Sequence, residues 1–185
     1  SRPALAVQEL TTTHSALGLV CRAHTCRCGT LVNEWGTHGL SCVYSANRLA
    51  RHGMLNDIVY RALASCDVPS VKEPRELTSR DGRRPDGVTM IPWASGRCLA
   101  WDATVADTLA PSHLPSTAAL AGAAAEHAAR SKHAKYAAIS ATHTFVPLAF
   151  ETLGPVCDEG CEFLRSLGRR ITDKSGDARE TQFLF

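Results

Sequence analysis

The sequence predicts an α/β domain: a mixed central sheet flanked by helices, with a small cysteine-rich knuckle at its N-terminal side. Three observations predict it. Apolar runs follow the order helix, three strands, helix, strand, helix, which suits helices packed on a mixed sheet. Two of the strands carry an aspartate, Asp86 in Arg84-Pro85-Asp86-Gly87 and Asp102 in Trp101-Asp102-Ala103-Thr104. Cysteine, histidine and glycine crowd residues 21–45, where there is little periodicity.

The chain has 185 residues, enough for one domain with a core and a small module. Hydrophobic content of 44% with 21% charged residues is ordinary for a globular protein, and a net charge of +2 does not single out nucleic acid as a partner. Locally, Arg75, Arg80, Arg83, Arg84 and Arg97 gather around Asp86, and Arg130, Lys132 and Lys135 form a second basic group. Such groups are solvated surface or phosphate contacts. No stretch is apolar enough to span a membrane, and the N-terminus has no signal-peptide pattern. A start at Ser1 and an end in Gln-Phe-Leu-Phe185 suggest a fragment of a longer protein.

Residues 1–45 form an N-terminal segment containing the knuckle at 26–42, residues 46–173 the main domain, and 174–185 a polar, mobile tail. Residues 47–65 read as a helix, because Ala50, Met54, Ile58 and Ala62 recur every four residues beside Leu55, Val59 and Leu63. Asp67-Val68-Pro69 stops it. Val71 to Leu77 suits a first strand, and Ser79-Arg80-Asp81-Gly82 a turn. The two aspartate strands follow. Ser116 is placed to cap a long alanine-rich helix reaching about Ile139, on which Glu126 and Arg130 form an i,i+4 pair. Phe145 to Phe150 is the next strand, and Asp158 to about Arg169 an amphipathic helix with Phe163, Leu164 and Leu167 on its apolar side. Cys66, Cys98, Cys157 and Cys161 lie among neighbours that suggest burial.

A carboxylate inside an apolar strand is costly unless a cation compensates it. Two on neighbouring strands suggest a divalent ion, since Mg²⁺ prefers hard oxygen ligands. Side chains alternate along a strand, so the register decides whether the pair shares a face. A two-residue loop of Ser95-Gly96 puts the carboxylates on opposite faces. A three-residue loop, Ala94-Ser95-Gly96, pairs residue 88 with 102 and brings them to one face, and Gly96 supplies the positive φ such a loop needs. That loop, or an equivalent bulge, is the expectation.

Cys26, Cys28, His38 and Cys42 make a C-x-C-x9-H-x3-C pattern, the donors a tetrahedral structural zinc requires. Gly29, Gly36 and Gly39 would let the backbone wrap an ion. Because C-x-C is shorter than the usual spacing, Cys21 and His24 are substitute ligands. A Cys3His site is coordinatively closed, which argues against a zinc hydrolase.

A metal-dependent phosphodiesterase also needs a cation to orient water or steady charge on the phosphate. The nearest position, two residues after Asp102, is Thr104. Lys132, Lys135 and Tyr136, at i, i+3 and i+4, share one helical face that could supply it; the alternative is that both lysines snorkel to solvent.

Taken together, these residues resemble the restriction-like endonuclease domain of non-LTR retrotransposons, a branch of the PD-(D/E)xK superfamily. The likeness runs from about Cys26 to Gly168. It comprises the Cys-Cys-His-Cys knuckle, Arg51-His52 opening a helix, Glu73-Pro74, Arg84-Pro85-Asp86, Asp102-Ala103-Thr104-Val105, and Lys132-His133-Ala134-Lys135-Tyr136. The resemblance implies a nuclear enzyme C-terminal to a reverse transcriptase in one polyprotein with element RNA. It would nick target DNA so that the freed 3′-OH primes reverse transcription. It implies Asp86 and Asp102 as Mg²⁺ (or Mn²⁺) ligands, a helix lysine in place of the one missing at Thr104, and Glu73 or Asn56 completing the metal shell. The knuckle would hold DNA or brace the nuclease against its neighbour. The alternative is a catalytically inactive nucleic-acid-binding module of the same fold.

Overall fold

The computed structural model describes Val20, residues 22–42, Tyr44, residues 46–77 and residues 82–183. Cys21 and most of the Ser79–Gly82 turn lie outside the described residues. A short hairpin, β1 (His24–Thr25) with β2 (Leu31–Val32), and a one-turn helix α1 (His38–Ser41) form the knuckle. The main unit follows the expected order: α2 (Ala46–Ser65), β3 (Ser70–Lys72), β4 (Gly87–Ala94), β5 (Arg97–Ala106), α3 (Leu114–Thr117), α4 (Ala123–Lys135), β6 (Thr144–Glu151), α5 (Asp158–Ser175) and α6 (Glu180–Phe183). The sheet order is β3-β4-β5-β6, antiparallel except for the parallel β5–β6 pair that α4 connects.

Both faces of the sheet are covered. Leu99, Trp101 and Ala103 point one way along β5, into a core with Val59, Leu63, Phe163, Leu164 and Leu167 from α2 and α5. Ala100 and Asp102 point the other way, toward α4 and the residue that ends it, Tyr136. Small side chains let α4 lie close to the sheet: Ala125 and Ala129 pack on Ala149 and Cys157.

The buried column of α2 is Leu55, Val59 and Leu63; Met54 (64% exposed) and Ile58 (38%) of the other column face solvent. β3 is shorter than expected, because Glu73 adopts a φ of 48° and Arg75–Leu77 closes into a 3₁₀ turn. The alanine-rich helix is also broken. Gly122, at a φ of 88°, separates the single turn α3 from α4, and Ser116 donates to the His113 carbonyl instead of capping a long helix. Glu126 accepts from the Asp158 backbone N–H at the start of α5 rather than serving only its own helix. The segment from Lys174 is not a loose tail: α5 runs to Ser175, stops at Gly176 (φ 75°), and α6 folds back so that Thr181 lies against Gly168, where a Cβ would approach it to 2.9 Å. Of the scattered cysteines, Cys157 is buried while Cys66, Cys98 and Cys161 are partly covered.

The β4–β5 hairpin departs from expectation in an instructive way. Its loop has two residues, Ser95 and Gly96, both with positive φ (49° and 72°), and Ala94 pairs with Arg97. Left regular, that register would have put the aspartates on opposite faces. Two register shifts follow: Pro92 pairs with Cys98 and Val88 with Ala100, so β4 advances six residues while β5 advances three. The odd offset flips β4. The Thr89 side chain, 2% exposed, repairs the ladder there, its hydroxyl accepting the Leu99 N–H (2.9 Å) and donating to the Ile91 carbonyl (2.8 Å).

Candidate active site and metal cluster

One step beyond the Gly87–Trp101 pair, Asp86 stands abreast of Asp102. The Asp86 backbone is held from both sides: its N–H donates to the Trp101 carbonyl (3.0 Å) and its carbonyl accepts the Glu73 N–H (2.8 Å). Gly87 is required next to it, since a Cβ there would lie 2.0 Å from Trp101 Cζ2. The fully buried Trp101 indole in turn donates to Asn56 Oδ1 (2.9 Å). Asp86 Oδ2 accepts the Ala103 N–H (2.6 Å) and meets His52 Nε2 at 3.0 Å. That contact raises the His52 pKa, with the charges of Asp86 and Asp102 adding to it against partial burial and Lys132.

Asp102 is 3% exposed and would be costly alone. The end of α4 compensates it. Lys132 Nζ bonds Asp102 Oδ2, and Lys135 Nζ lies 3.7 Å from Oδ1. The Tyr136 hydroxyl sits 2.6 Å from both Asp102 Oδ1 and the Arg84 carbonyl, sharing its proton between them. It thereby ties the Arg84-Pro85-Asp86 segment to the second acid. Burial, reinforced by the bond to Asp102, pushes the phenol's pKa far up, so it stays a donor. The lysine face thus turns to the aspartates, and neither ammonium simply snorkels to bulk solvent.

The two residues named to complete a metal shell are otherwise occupied. Asn56 serves the Trp101 indole and reaches the Asp86 carbonyl at 3.5 Å, and Glu73 pairs with Arg84 with its side chain 62% exposed. Two contributors were not recognised from the sequence as part of this site. His52 has a readable signal: with Leu55, Asn56, Val59 and Leu63 it continues the inward stripe of α2. Glu151, 4% exposed at the end of β6, accepts the Ala124 (2.9 Å) and Ala125 (3.4 Å) N–H groups and the Thr108 hydroxyl (3.2 Å). A carboxylate at the N-terminus of α4 favours that helix and anchors the end opposite the lysines. Nothing local in the sequence marks it.

In the knuckle, the ligand atoms of Cys26, Cys28, His38 and Cys42 all lie within 4.8 Å of one another, so the four could hold a metal ion such as zinc. Cys26 and Cys42 sulfurs are 3.5 Å apart, and Cys28 Sγ is 3.1 Å from His38 Nε2. These separations suit the edges of a tetrahedron with metal–sulfur bonds of about 2.3 Å. Gly29 (φ 87°) and Gly36 (φ 66°) make the turns, whereas Gly39 is helical. The Thr30 hydroxyl and backbone lower the Cys28 pKa to about 6, whereas burial raises that of Cys42. Three sulfurs and an imidazole gathered in one place are a donor set suited to zinc. His24 bonds the Arg22 carbonyl and is not part of the four. Arg51 joins the knuckle to α2 through the Leu40 carbonyl (2.8 Å).

No protein-family model matches the sequence, and no curated protein does.

Proposed function

We propose that the chain is a metal-dependent DNA endonuclease of the PD-(D/E)xK, restriction-like kind. One observation carries this reading: Asp86, just before β4, stands abreast of Asp102 on β5 while a separate helix brings Lys132, Lys135 and Tyr136 onto Asp102. The donor set fits Mg²⁺ or Mn²⁺, being two hard-oxygen carboxylates side by side with no thiolate. A divalent ion bound there supplies Lewis acidity toward water and the scissile phosphate. Asp86 is aimed by the Ala103 N–H and His52, and Tyr136 fixes Asp102. Lys132 and Lys135 contribute the cation that Thr104 cannot, stabilising negative charge as the phosphodiester is cleaved. The Cys26/Cys28/His38/Cys42 cluster is proposed to hold a structural zinc. The setting implied by the resemblance is target nicking for a reverse transcriptase of the same polyprotein, in the nucleus.

A second reading, a nucleic-acid-binding module without cleavage, has one observation in its favour: Asp102 is already met by two ammonium groups and a phenol. The Asp86→Ala variant separates the two. Nicking of supercoiled plasmid in Mg²⁺ should fall by at least about 10²-fold while DNA affinity is kept. A variant that nicks like the parent chain contradicts the assignment.

A further inference from the structure

A cavity of about 480 Å³ lies between α4 and the segment from Ser112 to Leu120 that precedes it. Here His127 and Arg130 of α4 form one wall, and Ser112, His113 and Ser116 the other. Arg130 lies about 200° round the helix from Lys132, so this cavity is separate from the aspartate site.

The segment forming the second wall is braced. Thr117 Oγ1 donates to the Thr108 carbonyl (2.9 Å) and Ser116 Oγ to the His113 carbonyl (2.8 Å), while Thr108 itself bonds the buried Glu151. His113 is fixed through Nδ1, which donates to the Asp107 carbonyl at 2.9 Å; in the neutral ring Nε2 is then an acceptor, so His113 shapes the wall rather than donating to an anion. The His113 and His127 ring centroids are 6.2 Å apart. The acid on the cavity wall, Glu126, already receives the Asp158 N–H. Asp107 accepts the Leu109 N–H with its own carboxylate. What is left to meet a ligand is the Arg130 guanidinium, the His127 imidazole and the Ser112 hydroxyl. That is a set for an anion with several acceptor oxygens.

We infer that this cavity is a second binding site, taking a phosphate group. The group comes either from a DNA strand, as a non-scissile phosphodiester, or from free phosphate. The strand source rests on the nuclease reading; the phosphate site does not.

Inorganic phosphate titrated into the full chain should shift the imidazole NMR signals of His113 and His127. The double variant His127→Gln, Arg130→Gln should weaken phosphate binding by at least about tenfold, since it removes a charge-assisted contact. Asp86→Ala should leave phosphate binding unchanged, so a failed nuclease reading does not disturb this test. For the strand source, the salt dependence of duplex binding should lose about one unit of slope in the double variant. An unchanged slope with phosphate affinity lost assigns the site to free phosphate. If phosphate leaves both histidine signals in place, or the double variant binds it like the parent chain, the inference is overturned.

Discussion

The knuckle and the aspartate site are built on opposite plans. The knuckle draws four donors from 17 consecutive residues, and two glycine turns and one helical turn suffice to gather them. The aspartate site draws on α2, the residue before β4, β5 and α4, with Asp86 and Tyr136 50 positions apart. A local cluster needs only correct turns. A long-range one needs a register, a helix phase and an anchored helix to agree. The closed donor set of the first suits structure, and the partly exposed Lys132, Lys135 and His52 around the second leave it reachable.

The largest expected effect tests the long-range plan. Lys132→Ala should slow nicking by about 10²–10³-fold, because Lys132 makes the closer contact with Asp102, and Lys135→Ala should cost less. Equal, mild losses would reduce both lysines to phosphate binders. The local plan is tested by metal content. The purified chain should carry about one zinc, and chelation should release protection of the amides over residues 22–42 in hydrogen exchange while α2 to α5 stay protected. A zinc content near zero removes the knuckle's metal.

Next in size, Gly87→Ala should destabilise the fold by about 1–3 kcal/mol or more, measured by denaturant unfolding, since the added methyl meets Trp101. A neutral outcome would mean that the Asp86 backbone is not held as described. The smallest effect concerns His52. Its raised pKa means its pairing with Asp86 stabilises the folded metal-free chain below the ordinary histidine value. That contribution is lost as pH rises through the raised one. The melting temperature of the parent chain relative to His52→Gln should therefore drop on going from pH 6 to pH 8, by less than about 4 °C for so exposed a pair. A pH-independent difference would contradict the contact.

How much was legible follows the same division. Cys26, Cys28, His38 and Cys42 were readable because spacing alone gathers them. Asp86 and Asp102 were readable as a pair that needs a three-residue loop or an equivalent bulge to share a face; the loop is not there and the bulge is, at a position the sequence did not mark. A two-residue turn at Ser95-Gly96 is corrected by bulges that Thr89 supports, and bulges leave little trace in a pattern of alternating residues. Lys132, Lys135 and Tyr136 were readable as one face, because helical phase survives even where Gly122 breaks the helix. Glu151 was not, since capping α4 from 27 residues away is a tertiary contact with no local signal. His52 could have been found by extending the Leu55, Val59 and Leu63 stripe back one turn.

Single-turnover nicking on duplex, bubble and branched DNA, with Mg²⁺ and with the ion chelated, tests most directly whether the aspartate site cuts DNA. A nick should appear on at least one of these substrates, require the ion and disappear in Asp102→Asn while DNA binding persists. Tight binding without an ion-dependent nick on any substrate would contradict cleavage by this site and leave a binding module.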